Sequence, residues 1–269
     1  MKLAFSTLGC PGWSWDEIYA TAKDMGMAGI EIRGIENEMF APKTKPFRKE
    51  NLTQTVEKLA RSGMQIPMLT TGAQLGLADY QREAVKEAEA YINLASDISC
   101  PYIRVLITKN PQPEPADRAL FIDAYKYLCD FAKEKNVTPL VETNGIFADT
   151  RELAETLYRV GSSNSGVLWD IHHPYRFFGE SPAQTYQNLG GKIKYVHVKD
   201  SASVDGKVQY RMMGYGDVPV FDSLKILKEN GYDGFVSFEW LKRWNSELQE
   251  PGIVFSHFAS YMRYLLNQI

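Results

Sequence analysis

Eight times along this chain a short β-branched or apolar run gives way to a stretch of helical periodicity, with no long linker between them. The candidate strands are "KLAFST", "GIEIRG", "MQIPMLT", "YIRVLI", "TPLVET", "GVLWDI", "IKYVHVKD" and "FVSFEW". Between them lie amphipathic stretches. "WDEIYATAKDMG" puts Ile18, Ala22 and Met25 on one face before Gly26, and "NLTQTVEKLARSG" aligns Leu52, Val56 and Leu59 before Gly63. Glycine just past a periodic run is a stop signal for a helix. "REAVKEAEAYINLASDI", "DRALFIDAYKYLCDFAKEKN", "TRELAETLYRVG", "PAQTYQNLG", "FDSLKILKENG" and "FSHFASYMRYLLNQI" complete the set. Strands that alternate with helices pair in parallel and are covered by those helices. Eight such units in 269 residues predict an α/β protein, a closed (β/α)8 barrel forming a single domain over residues 1–269. The competing doubly wound open sheet lacks its signature: "TLGCPGW" follows the first strand where a glycine-rich dinucleotide turn would stand, and there is no P-loop.

Composition narrows the function classes. Lys plus Arg number 30 against 33 Asp plus Glu, a formal net charge of −3, so nothing favours a nucleic-acid partner. No apolar segment approaches the roughly 20 residues of a membrane span. The apolar part of "MKLAFSTLGC" is too short for a secretory signal and reads as a first strand and its loop. Cys10, Cys100 and Cys129 are scattered thiols without a C-x-x-C pair, which suits a reducing cytoplasm.

In a barrel of this kind the C-terminal ends of the strands form the active face. The last four strands end on polar residues: Glu142 in "PLVETN", Asp170 in "VLWDIHH", His197 in "YVHVKD" and Glu239 in "VSFEW". Their spacings of 28, 27 and 42 residues are about one β/α unit each. Three carboxylates and an imidazole on one arc repel unless something positive joins them, and a divalent cation removes that conflict. Taken singly, each has a plainer explanation, a carboxylate as a helix cap or a histidine satisfied in the core. The set of four interrupting four successive apolar strands carries the metal expectation. Its donor chemistry suits Mn2+ first, with Mg2+, Co2+ and Zn2+ also compatible.

These motifs resemble the xylose isomerase-like barrel superfamily of sugar isomerases and epimerases, to which inosose-processing enzymes and endonuclease IV also belong. "VET", "WDIHH", "HVKD" and "GYDGFVSFEW" carry the resemblance, which extends over nearly the whole chain. It implies that Glu142, Asp170, His197 and Glu239 hold one divalent metal ion, and that His173, three residues after Asp170, reaches a substrate oxygen. His172 is expected to be structural or to orient a ligand. The implied activity is metal-dependent isomerisation or epimerisation of a small carbohydrate, with Glu142 and Glu239 moving a proton through a metal-stabilised enediolate. The alternative is a dehydratase or lyase on an inosose-like or keto-sugar substrate.

Further substrate-contact candidates sit near strand ends. Glu31 and Arg33 in "GIEIRG" either meet substrate or pair with each other; Arg104 in "YIRVL" points into the barrel; Lys199 lies two residues from His197 and on the same side. Trp13, Trp169 and Trp240 offer flat walls, although tryptophan at such positions is more often core. "SASVDGKVQYRMMGYGDVP" reads as a long lid loop that brings Arg211 to the site. Two departures from ketose 3-epimerases stand out. No acidic residue follows Glu142 before Asp149, and Lys199 stands where an arginine is usual after the histidine. The trinuclear zinc site of endonuclease IV needs early histidines, and this chain has none before His172. A non-catalytic sugar-binding barrel is a third reading, and nothing in the sequence excludes a homo-oligomer.

Overall fold

The computed structural model describes residues 1–269. Eight parallel strands make one sheet, in the order β2-β1-β10-β7-β6-β5-β4-β3. They are β1 (Lys2–Ser6), β2 (Gly29–Glu31), β3 (Leu69–Gln74), β4 (Tyr102–Leu106), β5 (Thr138–Glu142), β6 (Gly166–Asp170), β7 (Ile193–Val198) and β10 (Phe235–Phe238). A parallel bridge from Gly29 to Gln65 ties β2 to the segment leading into β3. With helices between the strands, this is the predicted (β/α)8 barrel.

The polypeptide divides into two compact units, Met1–Ile66 with Val196–Ile269, and Pro67–Tyr195. In the first, α1 (Trp15–Asp24) starts at a capping box: the Ser14 hydroxyl accepts from the Glu17 N–H while the Glu17 carboxylate accepts from the Ser14 N–H. Helix α2 (Leu52–Ser62) ends at Gly63, whose left-handed φ of 68° lets its N–H donate to the Ala60 and Leu59 carbonyls. The C-terminal helix α9 (Pro251–Leu266) packs Phe255 on Phe5 and Phe258 on Phe238, with ring centroids 4.3 and 4.7 Å apart.

In the second unit α3 (Ala78–Asp97) buries Ala84, Ala88, Tyr91 and Ala95, the stripe read from the sequence. Helices α4 (Arg118–Lys133) and α5 (Thr150–Val160) follow, and Phe121 of α4 meets Phe147 edge-on at 4.9 Å. Between β6 and β7 the chain forms α6 (His172–Phe178) and α7 (Pro182–Leu189). No helix is long and apolar enough to cross a membrane.

Three elements differ from expectation. The third strand begins at Leu69, within the last two residues of the predicted "MQIPMLT", and runs on to Gln74; Pro67 lacks an N–H to donate, and before it only Gln65 pairs, by an isolated bridge to Gly29. The "HHPYRFF" segment forms an additional helix, α6, not among those read from the sequence; its proline stands in the first turn, where no N–H is needed. The lid stretch is an antiparallel ribbon, β8 (Asp200–Val204) with β9 (Lys207–Arg211), turning at Asp205 and Gly206. Asp-Gly suits a tight hairpin turn because both residues tolerate positive φ, here 50° and 72°. Helix α8 (Val220–Glu229) then leads to β10.

Candidate active site

Each unit presents a buried polar cluster at its strand ends. In the Pro67–Tyr195 unit, Arg104 stands in register with Leu140, and Glu142 lies two residues further along β5, on the same face. Arg104 Nη1 donates to Glu142 Oε2 at 3.0 Å, and its Nη2 donates to the Thr71 carbonyl at 2.7 Å. The guanidinium is therefore held at two points and presents one edge to the glutamate. Asp170, fully buried at the end of β6, accepts the His172 N–H on Oδ1 at 2.9 Å. Its backbone exchanges hydrogen bonds with the Thr143 hydroxyl, N–H to Oγ1 at 2.9 Å and Oγ1–H to the carbonyl at 3.1 Å.

His173 turns back from α6 towards that carboxylate. Its Nδ1 lies 3.0 Å from the Thr143 carbonyl, which only accepts, so the proton is on Nδ1. Nε2 then faces Asp170 Oδ2 at 3.7 Å. His173, expected to reach a substrate oxygen, thus lies beside the Asp170 carboxylate. His172 is fully buried and meets the rings of His173 and Phe177 edge-on. Asp170, His172 and His173 offer ligand atoms within 4.8 Å of one another.

In the other unit, Ser237 of β10 is in register with His197 of β7, so Glu239 and Lys199 lie two residues beyond at matching heights. Lys199 Nζ donates to Glu239 Oε2 at 2.5 Å, and Glu239 Oε1 lies 3.6 Å from His197 Nδ1. His197 Nε2 is 2.9 Å from Oε2 of Glu31, the last residue of β2. All four side chains are buried. Glu31 thus meets His197. The backbone N–H of half-buried Arg33 donates to the Thr7 hydroxyl at 2.8 Å.

Glu142 and Asp170 in one unit, and His197 and Glu239 in the other, are buried candidate metal ligands. The remaining predicted contacts are placed as follows. Trp13, half-buried, stands edge-on to Phe255. Trp169 and Trp240 are core, and Trp240 Nε1 donates to the Gln249 carbonyl at 3.0 Å. Arg211 ends β9 and donates to Gln209 on the same ribbon. The carboxylate of Asp200, a residue the sequence did not single out, anchors the base of that ribbon. It accepts from the N–H groups of Ser201, Gly214, Gly216 and Val218 at 2.8–3.3 Å. The signal was present in the three glycines that follow it, Gly206, Gly214 and Gly216, but not in the carboxylate itself.

A family model described as xylose isomerase-like TIM barrel matches residues 19–255. The chain belongs to the xylose isomerase-like TIM barrel family. Within it, a fructoselysine 3-epimerase of Shigella flexneri is 21% identical over 264 residues, covering 92% of each chain. Among solved structures of the same fold, an IOLI protein with a bound zinc atom superimposes with a TM-score of 0.81 at 17% identity, over 100% of this chain and 99% of that one. The probable 3-DHS dehydratase AsbF of Bacillus anthracis superimposes with a TM-score of 0.78 at 17% identity, over 98% and 99%.

Proposed function

We propose that this xylose isomerase-like barrel is a divalent-metal-dependent epimerase or isomerase of a small keto-sugar or related polyol. One observation carries the reading, a charge imbalance among buried side chains. The buried carboxylates are Glu31, Glu142, Asp170, Glu180, Asp200 and Glu239, and the buried lysines and arginines are Arg104 and Lys199 alone. Glu180 is satisfied by the Thr150 N–H and by the hydroxyls of Thr150 and Thr185, and Asp200 by its four backbone N–H groups. Four carboxylates then face two cations, and the deficit is that of one divalent ion. Burying ionised carboxylates without such compensation is strongly unfavourable.

The donor set fits that ion. Glu142, Asp170, His197 and Glu239 supply three carboxylates and an imidazole, compatible with Mn2+, Mg2+, Co2+ or Zn2+. Two atoms each about 2.1 Å from one ion at a tetrahedral angle stand about 3.4 Å apart. The 3.6 Å between His197 Nδ1 and Glu239 Oε1 matches that spacing. When bound, the ion supplies a Lewis acid for a substrate carbonyl and its neighbouring hydroxyl.

The chain's own residues do the rest. One of Glu142 and Glu239 takes the proton from the carbon beside the carbonyl. Return of a proton to the other face of that carbon, by the second glutamate, is epimerisation; return to the neighbouring carbon is isomerisation. Arg104 and Lys199 fix the two glutamates by the bonds already described, so each carboxylate turns a defined oxygen away from its cation. His173, its Nδ1 tied to the Thr143 carbonyl, offers Nε2 to a substrate oxygen. Trp13, Arg33 and Arg211 are the outer substrate contacts. The 3-epimerase relative supports proton transfer over loss of water. A dehydratase remains the second reading, since the same abstraction followed by departure of a β-hydroxyl gives elimination.

The test is exchange of substrate C–H for deuterium in heavy water, run with Mn2+-loaded protein and a panel of ketoses, aldoses and inososes. Exchange without loss of water is the expected result, and a dehydrated product supports elimination. Glu142→Gln and Glu239→Gln should each abolish exchange while His172→Ala keeps most of it. Full turnover by Glu239→Gln contradicts the proton-transfer roles.

A further inference from the structure

Glu31 was expected at the substrate, and its geometry gives it another task. Strand β2, which it ends, is separated from β7 in the sheet order by β1 and β10. Even so, the Glu31 side chain reaches His197, 166 positions away, at 2.9 Å between Oε2 and Nε2. Both side chains are completely buried. An ionised carboxylate only accepts hydrogen bonds, so this contact requires the imidazole proton on Nε2. Nδ1, on the opposite side of the ring, then directs its lone pair towards Glu239.

A buried carboxylate–imidazole pair is poor at stabilising a fold, because desolvation offsets the attraction and an apolar pair of similar volume does as well. The second oxygen of Glu31 adds to the cost: Oε1 is buried without a hydrogen-bond partner. A carboxylate held at such expense against one ring nitrogen does something besides support the fold. Fixing a ligand histidine's tautomer and ring plane, and raising the basicity of its other nitrogen, is what a carboxylate achieves in that position.

We propose that Glu31 is a positioning residue of the metal centre, holding His197 with Nε2 protonated so that Nδ1 is the nitrogen presented to a divalent cation. This rests on the metal reading given above. Glu31 contacts neither the ion nor the substrate. Its substitution acts through His197, weakening ion binding before any substrate is present.

Two measurements on the full chain test it. The first is a long-range 1H–15N correlation spectrum of metal-free protein labelled at histidine, with the His197 signals assigned from a His197→Asn variant. The protonated Nε2 tautomer is expected, and a protonated Nδ1 overturns the proposal whether or not any Glu31 variant folds. The second is equilibrium dialysis against Mn2+. Glu31→Ala should weaken binding about 10–100-fold. Glu31→Gln keeps an acceptor oxygen for Nε2–H and should stay within a few-fold of the parent protein. Equal affinity in the parent and Glu31→Ala overturns the proposal and leaves the metal reading standing. Absence of Mn2+ binding by the parent removes the metal reading, and this one with it.

Discussion

Replacing Lys199 by methionine removes the charge from a pair whose side chains are 1% and 6% exposed and whose atoms are 2.5 Å apart. Methionine keeps the apolar stem and its packing, so the loss is electrostatic. Glu239 is left with a buried carboxylate deprived of its closest cation, and breaking such a pair from one side costs about 3–5 kcal/mol. For a chain of this size each kcal/mol moves the melting temperature by about 2–4 °C, so Lys199→Met should melt roughly 6–20 °C lower. Glu239→Gln is milder, because the amide oxygen still accepts from the ammonium; about 1–3 kcal/mol is expected. The double variant removes both charges together and should cost less than the two singles combined, by about 2 kcal/mol. The assay is urea unfolding of chelator-treated protein, parent and three variants, so that no ion masks the pair. Additivity within about 0.5 kcal/mol would show that the two groups do not interact, and would refute the argument that Lys199 fixes Glu239.

Further outcomes concern the ribbon and the thiols. A Cβ on Gly216 would lie 2.1 Å from Asp200 Oδ1 and 2.3 Å from the Ser201 carbonyl oxygen. Gly216→Ala should therefore cost about 1–3 kcal/mol, seen as a lower urea midpoint. Asp200→Asn turns an N–H2 group towards two of the four backbone donors now bound to the carboxylate. A loss of about 3 kcal/mol or more is expected, with faster amide exchange at Gly214 and Gly216. Burial pushes the Cys129 thiol up to about 12 and the Cys10 thiol higher still. Neither should react with a disulfide reagent at pH 8 in the native protein, and all three buried cysteines should react once it is unfolded. Rapid labelling of the native protein at pH 8 would contradict that burial.

Much of this arrangement was legible because a barrel repeats one rule eight times. A strand buried on both sides must be apolar, so the residues that break the rule at its C-terminal end, Glu142, Asp170 and Glu239, announce themselves. His173 was singled out by the D-x-x-H pattern of the family resemblance; Asp170 ends β6 and α6 begins at His172, so the pattern spans a strand end and a helix start. What was hidden depends on partners far apart in the chain. Glu31 suggested either a substrate contact or a pair with nearby Arg33, whereas its contact with His197 bridges 166 positions of sequence and could not be read from spacing. The third strand was read a few residues early because Met64–Met68 is largely apolar, although Pro67 within it has no N–H for a ladder. The ribbon of β8 and β9 looked like a loop because its alternation is half-exposed and weakly apolar, although the Asp205–Gly206 turn was there to be read.

The most direct test of the central claim is the metal content of the protein itself. Parent protein and Asp170→Asn are stripped with chelator, dialysed against Mn2+, Mg2+, Co2+ or Zn2+, and measured by elemental analysis alongside their melting temperatures. The parent should retain one ion per chain. At a hundred times the dissociation constant, it should gain about 2.7 kcal/mol of stability. Asp170→Asn should lose most of that ion and the accompanying rise in melting temperature. A parent protein that retains none of the four metals, and melts at the same temperature with and without them, would contradict the account.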